Sequence, residues 1–151
     1  MAILYLDTSA LVKLYVQEEG TAAMLELAHP DAGLRLAVLA VTRAEFRAAV
    51  RRRAKLGDIA SNVADELIHS FGNHLATLFQ IQPITEMVLD EAAGLIDRHL
   101  LRAYDAIQLG GYMALRSAVG NEVETAFVCA DTDLFEAAQA EGFTSINPLV
   151  M

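Results

Sequence analysis

Ala2-Ile3-Leu4-Tyr5-Leu6-Asp7-Thr8-Ser9 sets five apolar residues directly against a carboxylate and two hydroxyl side chains. Five residues are too few to separate strand from helix by periodicity, but Asp7, Thr8 and Ser9 are helix-capping types. The run therefore reads as a buried strand followed by a helix over residues 9–16, with Asp7 at the carboxyl end of the strand. The arrangement recurs late in the chain. Residues 126–130 read as a strand, Asp131-Thr132-Asp133 as the turn after it, and residues 134–140 as a helix.

Gly20 breaks the first helix, and Thr21 can cap a second one that ends at Leu27, before Pro30. Residues 34–40 read as a second strand. Thr42 opens a third helix that Gly57 can stop, and Asp58 or Ser61 restarts a long one. Residues 78–83 form a short strand. Thr85 begins a helix on which Val88, Leu89, Ala92 and Ile96 follow the 3.6-residue period, ending near His99. Ala106, Leu109 and Met113 give the apolar stripe of a helix running to about Ser117, while Tyr104, Ile107, Gln108 and Gly111 share another face. Gly120 closes that helix, and residues 143–146 make a last strand. Strands alternating with helices require crossovers, so the expected fold is a three-layer α/β/α sandwich with a mostly parallel sheet, formed as one domain by residues 1–151. In such sheets ligands sit outside the carboxyl ends of the strands near the topological switch point.

A chain of 151 residues can bury roughly 70% of its unfolded surface without staples. Hydrophobic residues at 54% exceed the usual share, which leaves apolar surface for another chain. No apolar run reaches the roughly 20 residues of a membrane span, and the N-terminus lacks the basic segment of a secretory signal, so the chain reads as soluble and cytoplasmic. The lone Cys129, in an apolar run, reads as a reduced, buried thiol. A net charge of −9 argues against a generally basic nucleic-acid surface, yet five of the 11 basic residues fall between Arg43 and Arg53.

Asp7 and Asp131 would face one crevice, which Glu45, in the first turn of the third helix, and Asp105 can reach from the sides. Carboxylates gathered there repel unless a divalent cation neutralises them. Oxygen ligands suit the hard ions Mg2+ and Mn2+, and the four histidines show no zinc-type spacing. Each acid also has a structural reading. Asp7 can cap the helix after it, Thr42-Arg43-Ala44-Glu45 matches a capping box, and Asp131 or Asp133 can be an N-cap. Asp105 is harder to explain structurally, having only Arg102 as an evident partner. Arg43, Arg47 and Arg51 recur every four residues, as a phosphate-binding stripe or as an ordinary solvated face.

These four segments together resemble the PIN-domain family, and specifically its VapC-type toxins. Tyr5-Leu6-Asp7-Thr8-Ser9-Ala10-Leu11-Val12-Lys13-Leu14-Tyr15 is similar to the family's opening strand and first acidic motif, Thr42 to Glu45 to its second, Leu101-Arg102-Ala103-Tyr104-Asp105-Ala106-Ile107-Gln108-Leu109 to its third, and Phe127-Val128-Cys129-Ala130-Asp131-Thr132-Asp133-Leu134 to its fourth. The resemblance implies a ribonuclease whose metal ligands are Asp7, Glu45, Asp105 and Asp131, with Ser9 supporting the site. Asp133 is open as a ligand, a support or a cap. It also implies Mg2+ or Mn2+ as cofactor, hydrolysis of RNA phosphodiesters, a cognate antitoxin as inhibitor and a homodimer. Two rivals are a non-catalytic PIN-like module that binds RNA or protein, and a phosphotransfer enzyme of haloacid dehalogenase type suggested by Asp131-Thr132-Asp133. In the second, Phe135 stands where Thr or Val is expected.

Overall fold

The side chains of the first strand, β1 (Ile3–Leu6), are divided between two apolar layers, as a period of two demands of a strand covered on both faces. In this computed structural model, which describes residues 2–151, Ile3 and Tyr5 pack on one side of the sheet and Leu4 and Leu6 on the other. The other strands are β2 (Arg35–Leu39), β3 (Phe79–Gln82), β4 (Thr125–Val128) and β5 (Ser145–Ile146). All pairings are parallel, in the order β3-β2-β1-β4-β5, with Tyr5 registered against Ala37 and Phe127.

Among the described residues, seven α-helices cover the two faces. On the Leu4 side lie α1 (Thr8–Leu11), α2 (Thr21–Leu27), α3 (Thr42–Lys55) and α4 (Ser61–Thr77), which bury Leu11, Met24, Phe46 and Phe71. On the Tyr5 side lie α5 (Glu86–His99), α6 (Ala103–Val119) and α7 (Thr132–Ala140), which bury Leu95, Leu109, Tyr112 and Leu134. Each such side chain contributes roughly 1.5–3 kcal/mol through apolar burial. The architecture is the three-layer sandwich expected from the sequence. Because β1 is central, the chain grows to β2 and β3 on one side, then returns to β4 on the other. That reversal opens a crevice above the carboxyl ends of β1 and β4.

The α6 helix comes unusually close to its neighbours. A Cβ on Gly110 would stand 2.7 Å from the carbonyl oxygen of Val88, and one on Gly111 would collide with the Tyr5 hydroxyl and lie 2.6 Å from Leu39 Cδ1. Two adjacent glycines thus let α6 press against both α5 and the sheet.

Some local expectations need correction. The helix after Asp7 is α-helical only to Leu11 and continues as a 3-10 turn, Val12–Leu14, instead of reaching residue 16. Thr21 does not cap α2: Gly20 at φ 90° precedes it, and the Thr21 hydroxyl accepts from the Glu18 amide (3.0 Å) and donates to the Val16 carbonyl (3.2 Å). Thr42 does not cap α3 either. Val41 holds that position without a side-chain bond, and Thr42 is the buried first helical residue. The last strand is two residues long instead of four.

Candidate functional site

Asp7 is fixed by the start of α1. Its backbone is extended (φ −66°, ψ 155°) as the N-cap of that helix, and its Oδ2 accepts from the Ser9 amide at 3.1 Å and the Ser9 hydroxyl at 2.6 Å. The Ser9 Oγ in turn accepts from the Ala130 amide at 3.0 Å. One serine therefore ties the β1 carboxylate to the loop after β4. Cys129 is buried beneath this junction, with Sγ 3.8 Å from Asp7 Oδ2.

Asp131 lies in that loop as the N-cap of α7, its Oδ1 accepting from the Leu134 amide at 3.0 Å. The Asp131-Thr132-Asp133 turn is thus a helix start. Asp133 sits in the first turn of α7, exposed, and lines a cleft with Asp105, Arg102 and His99.

Glu45 and Asp105 enter from helices on opposite faces of the sheet. The Glu45 side chain does not fold back as a capping box would require. Its Oε1 accepts from Gln108 Nε2 at 2.8 Å, and the same amide group contacts Thr42 Oγ1 at 3.1 Å and Thr8 Oγ1 at 3.2 Å. Gln108 is fully buried, and its Oε1 has no partner among the described residues. Residue-by-residue reading missed this glutamine. The available signal was its place three residues after Asp105, one turn along the same helix. Asp105 is buried, with Arg102 Nε 3.4 Å from its Oδ2.

The carboxylates act on one another electrostatically. Burial pushes Asp7 up to about 6 from 3.8, against the pull of its Ser9 bonds, and Glu45 adds to the rise. Asp105 is likewise pushed to about 6, first by burial and then by the charges of Asp131 and Asp7, with Arg102 opposing. Glu45 is raised by burial and by Asp105, while Gln108 holds it down. The four acids thus share one electrostatic neighbourhood at the switch point. They are not packed as tightly as the sequence suggests, because among the described residues no three His, Cys, Asp or Glu side chains form a ready-made metal-binding group. Glu45 is engaged by Gln108, Asp131 by the Leu134 amide and Asp7 by Ser9. The donor set nonetheless fits a hard divalent cation. It consists of carboxylates, two of them with a pKa raised to about 6, and the guanidinium paired with Asp105, that of Arg102, is largely exposed.

The arginines of α3 divide between two surfaces. Arg43 and Arg47 line an apolar groove between α3 and α4, with Phe46, Ile68, Phe71 and Leu75. Arg51 is paired with Asp65 of α4 at 2.6 Å. A second cleft, of about 460 Å³, contains Thr8, Ser9 and Asp131 together with Lys13, Arg52 and Arg53.

Residues 4–110 match the family model described as the PIN domain. No match is found among curated proteins. Among solved structures, a toxin-antitoxin complex from Klebsiella pneumoniae superposes with a TM-score of 0.65 at 19% identity, covering 98% of this chain and 98% of that one. FitAcB from Neisseria gonorrhoeae gives 0.68 at 19% identity, over 98% and 99%. VapC20 from Mycobacterium tuberculosis, a sarcin-ricin loop cleaving toxin, gives 0.62 at 19% identity, over 96% and 99%. At this identity the likeness is one of fold.

Proposed function

This chain belongs to the PIN-domain family, and on that premise we propose that it is a metal-dependent ribonuclease, the toxin of a VapC-type toxin–antitoxin pair. One arrangement carries the reading: two buried carboxyls, Asp7 and Asp105, stand at the switch point of the sheet in the company of Glu45 and Asp131, and burial together with those neighbouring charges raises the pKa of both. Holding several anions out of water is unfavourable without a function that needs them.

Asp7, Glu45, Asp105 and Asp131 would hold Mg2+ or Mn2+. When bound, that ion supplies Lewis-acid stabilisation of charge on the phosphate and lowers the pKa of a bound water. The carboxylates position the ion and do not attack. Ser9 holds the Asp7 carboxylate in one rotamer and joins it to the β4–α7 loop. Gln108 holds Glu45 on the crevice side of α3. Asp133, exposed in the first turn of α7, fits a supporting role near Asp105 better than a ligand role. The whole chain is read as one domain, with RNA as substrate, an antitoxin as inhibitor, a second copy as dimer partner and the cytoplasm as its location.

The test is incubation of the purified chain, free of antitoxin, with structured RNAs. Asp7→Asn and Asp105→Asn should remove cleavage while the protein stays folded by circular dichroism. Cleavage retained by either variant would defeat the assignment. The second reading, a non-catalytic RNA- or protein-binding module, is favoured by the lack of a ready-made three-ligand group among the described residues. Cleavage by the wild-type chain rejects it.

A further inference from the structure

We infer that the cleft between Ser9, Asp131 and the C-terminal half of α3 is a nucleotide subsite for the RNA strand, with Arg52 as its phosphate-binding residue. The inference rests on the nuclease reading and extends it by naming where the strand runs beside the acidic site.

Helix geometry selects Arg52. At 3.6 residues per turn each residue advances by about 100°, so the seven steps from Glu45 to Arg52 bring it back to within about 20° of Glu45, roughly 10 Å along the axis. Arg43 and Arg47 lie two steps either side of Glu45, roughly 200° of rotation away, and Arg51 is about 120° off. The surfaces agree with this reckoning. Arg43 and Arg47 line the apolar α3–α4 groove, whereas Arg52 and Arg53 share a cleft with Thr8, Ser9 and Asp131.

Pairing narrows the choice further. Arg51 is held by Asp65, and Arg53 shares Glu18 with the buried Lys13, whose Nζ lies 2.9 Å from Glu18 Oε1. Arg52 forms no ion pair among the described residues and is exposed. The Lys13–Glu18–Arg53 group carries one net positive charge beside it. In a chain of net charge −9, this is cationic surface adjoining the carboxylates, and an anionic strand needs such a surface to approach them.

The cleft also has an apolar side. Val12 lines it, together with Leu56 and Leu149, which are 70% and 37% exposed. Exposed leucines beside an unpaired arginine suit the two halves of a nucleotide, the base against the leucines and the phosphate on the guanidinium. An RNA strand that bridged from Arg52 to the acids would present its next phosphate near Ser9 and Asp131.

The experiment measures a 12-nucleotide mixed-sequence single-stranded RNA in two ways: equilibrium binding by fluorescence anisotropy with Ca2+ replacing Mg2+, and steady-state cleavage with Mg2+. Arg52→Gln should weaken binding about tenfold and flatten the slope of log affinity against log salt by about 0.7, the share of one phosphate contact on a single strand. It should raise KM with kcat changed less than about twofold, and leave the thermal midpoint unaltered. Arg52→Glu should weaken binding further, and Arg43→Gln should not change it. Equal losses in Arg52→Gln and Arg43→Gln, or an unchanged salt slope in Arg52→Gln, would overturn the subsite even if cleavage proceeds. Arg52-dependent binding without wild-type cleavage would leave the subsite standing and remove the nuclease reading alone.

Discussion

Replacing Asp7 by Asn should make the metal-free protein more stable at pH 8. The Asp7 carboxyl is held at about 6 in the folded chain against 3.8 when solvated, chiefly by burial. Between those values the folded state binds more protons than the unfolded state, so stability falls as the pH rises through the window and the loss persists above it. About two pKa units correspond to about 3 kcal/mol at pH 8. By pH 4.5 the same linkage leaves only about 1 kcal/mol. Asn keeps an acceptor for the Ser9 amide and carries no charge, so Asp7→Asn should recover most of that difference, at most about 3 kcal/mol at pH 8 and about 1 at pH 4.5. In a chain of this size each kcal/mol moves the thermal midpoint by about 2–4 °C. Urea unfolding in EDTA at the two pH values measures it. Mg2+ should then stabilise the wild type and not the variant, because only a ligand that favours the folded state shifts unfolding. An Asp7→Asn protein less stable than wild type at pH 8, or one whose advantage is the same at both pH values, would refute the argument that this carboxylate is held under electrostatic strain.

Two further substitutions probe the supporting structure. Gln108→Leu removes the amide that donates toward Thr8, Thr42 and Glu45, and should cost about 1–3 kcal/mol in urea unfolding. It also removes the bond that holds Glu45 down, so the acidic limb of the cleavage–pH profile should move to higher pH; an unmoved limb would show that Glu45 need not be ionised. Gly111→Ala drives a methyl group into the Tyr5 hydroxyl and Leu39, and should destabilise by about 1–3 kcal/mol, read as a lower urea midpoint with unchanged slope.

The sequence is most informative where the signal is local. An apolar run ending in Asp7-Thr8-Ser9 carries both the strand and its capping carboxylate within eight residues, and the structure has both. Residues 126–131 behave in a similar way, except that the strand is Thr125–Val128, ending two residues short of Ala130, and the helix begins one residue after Asp131 instead of after a turn. Long-range contacts are where local reading stops. Thr42-Arg43-Ala44-Glu45 has the spacing of a capping box, yet Glu45 bonds to Gln108, 63 residues away, and no local rule weighs that competitor. The four-residue recurrence of Arg43, Arg47 and Arg51 reads as one stripe, whereas in the fold Arg43 and Arg47 line the α3–α4 groove and Arg51 pairs with Asp65. The Lys13–Glu18–Arg53 group is likewise invisible until α3 packs beside the 3-10 turn.

If the carboxylates above β1 and β4 work by holding a divalent ion, cleavage must follow the metal titrated into the reaction. Purified wild-type chain, stripped with EDTA, should leave a structured RNA intact, and Mn2+ or Mg2+ added beyond the chelator should restore cutting in the wild type but not in Asp105→Asn. Cutting that continues undiminished in EDTA would mean that these carboxylates do not act through a divalent ion.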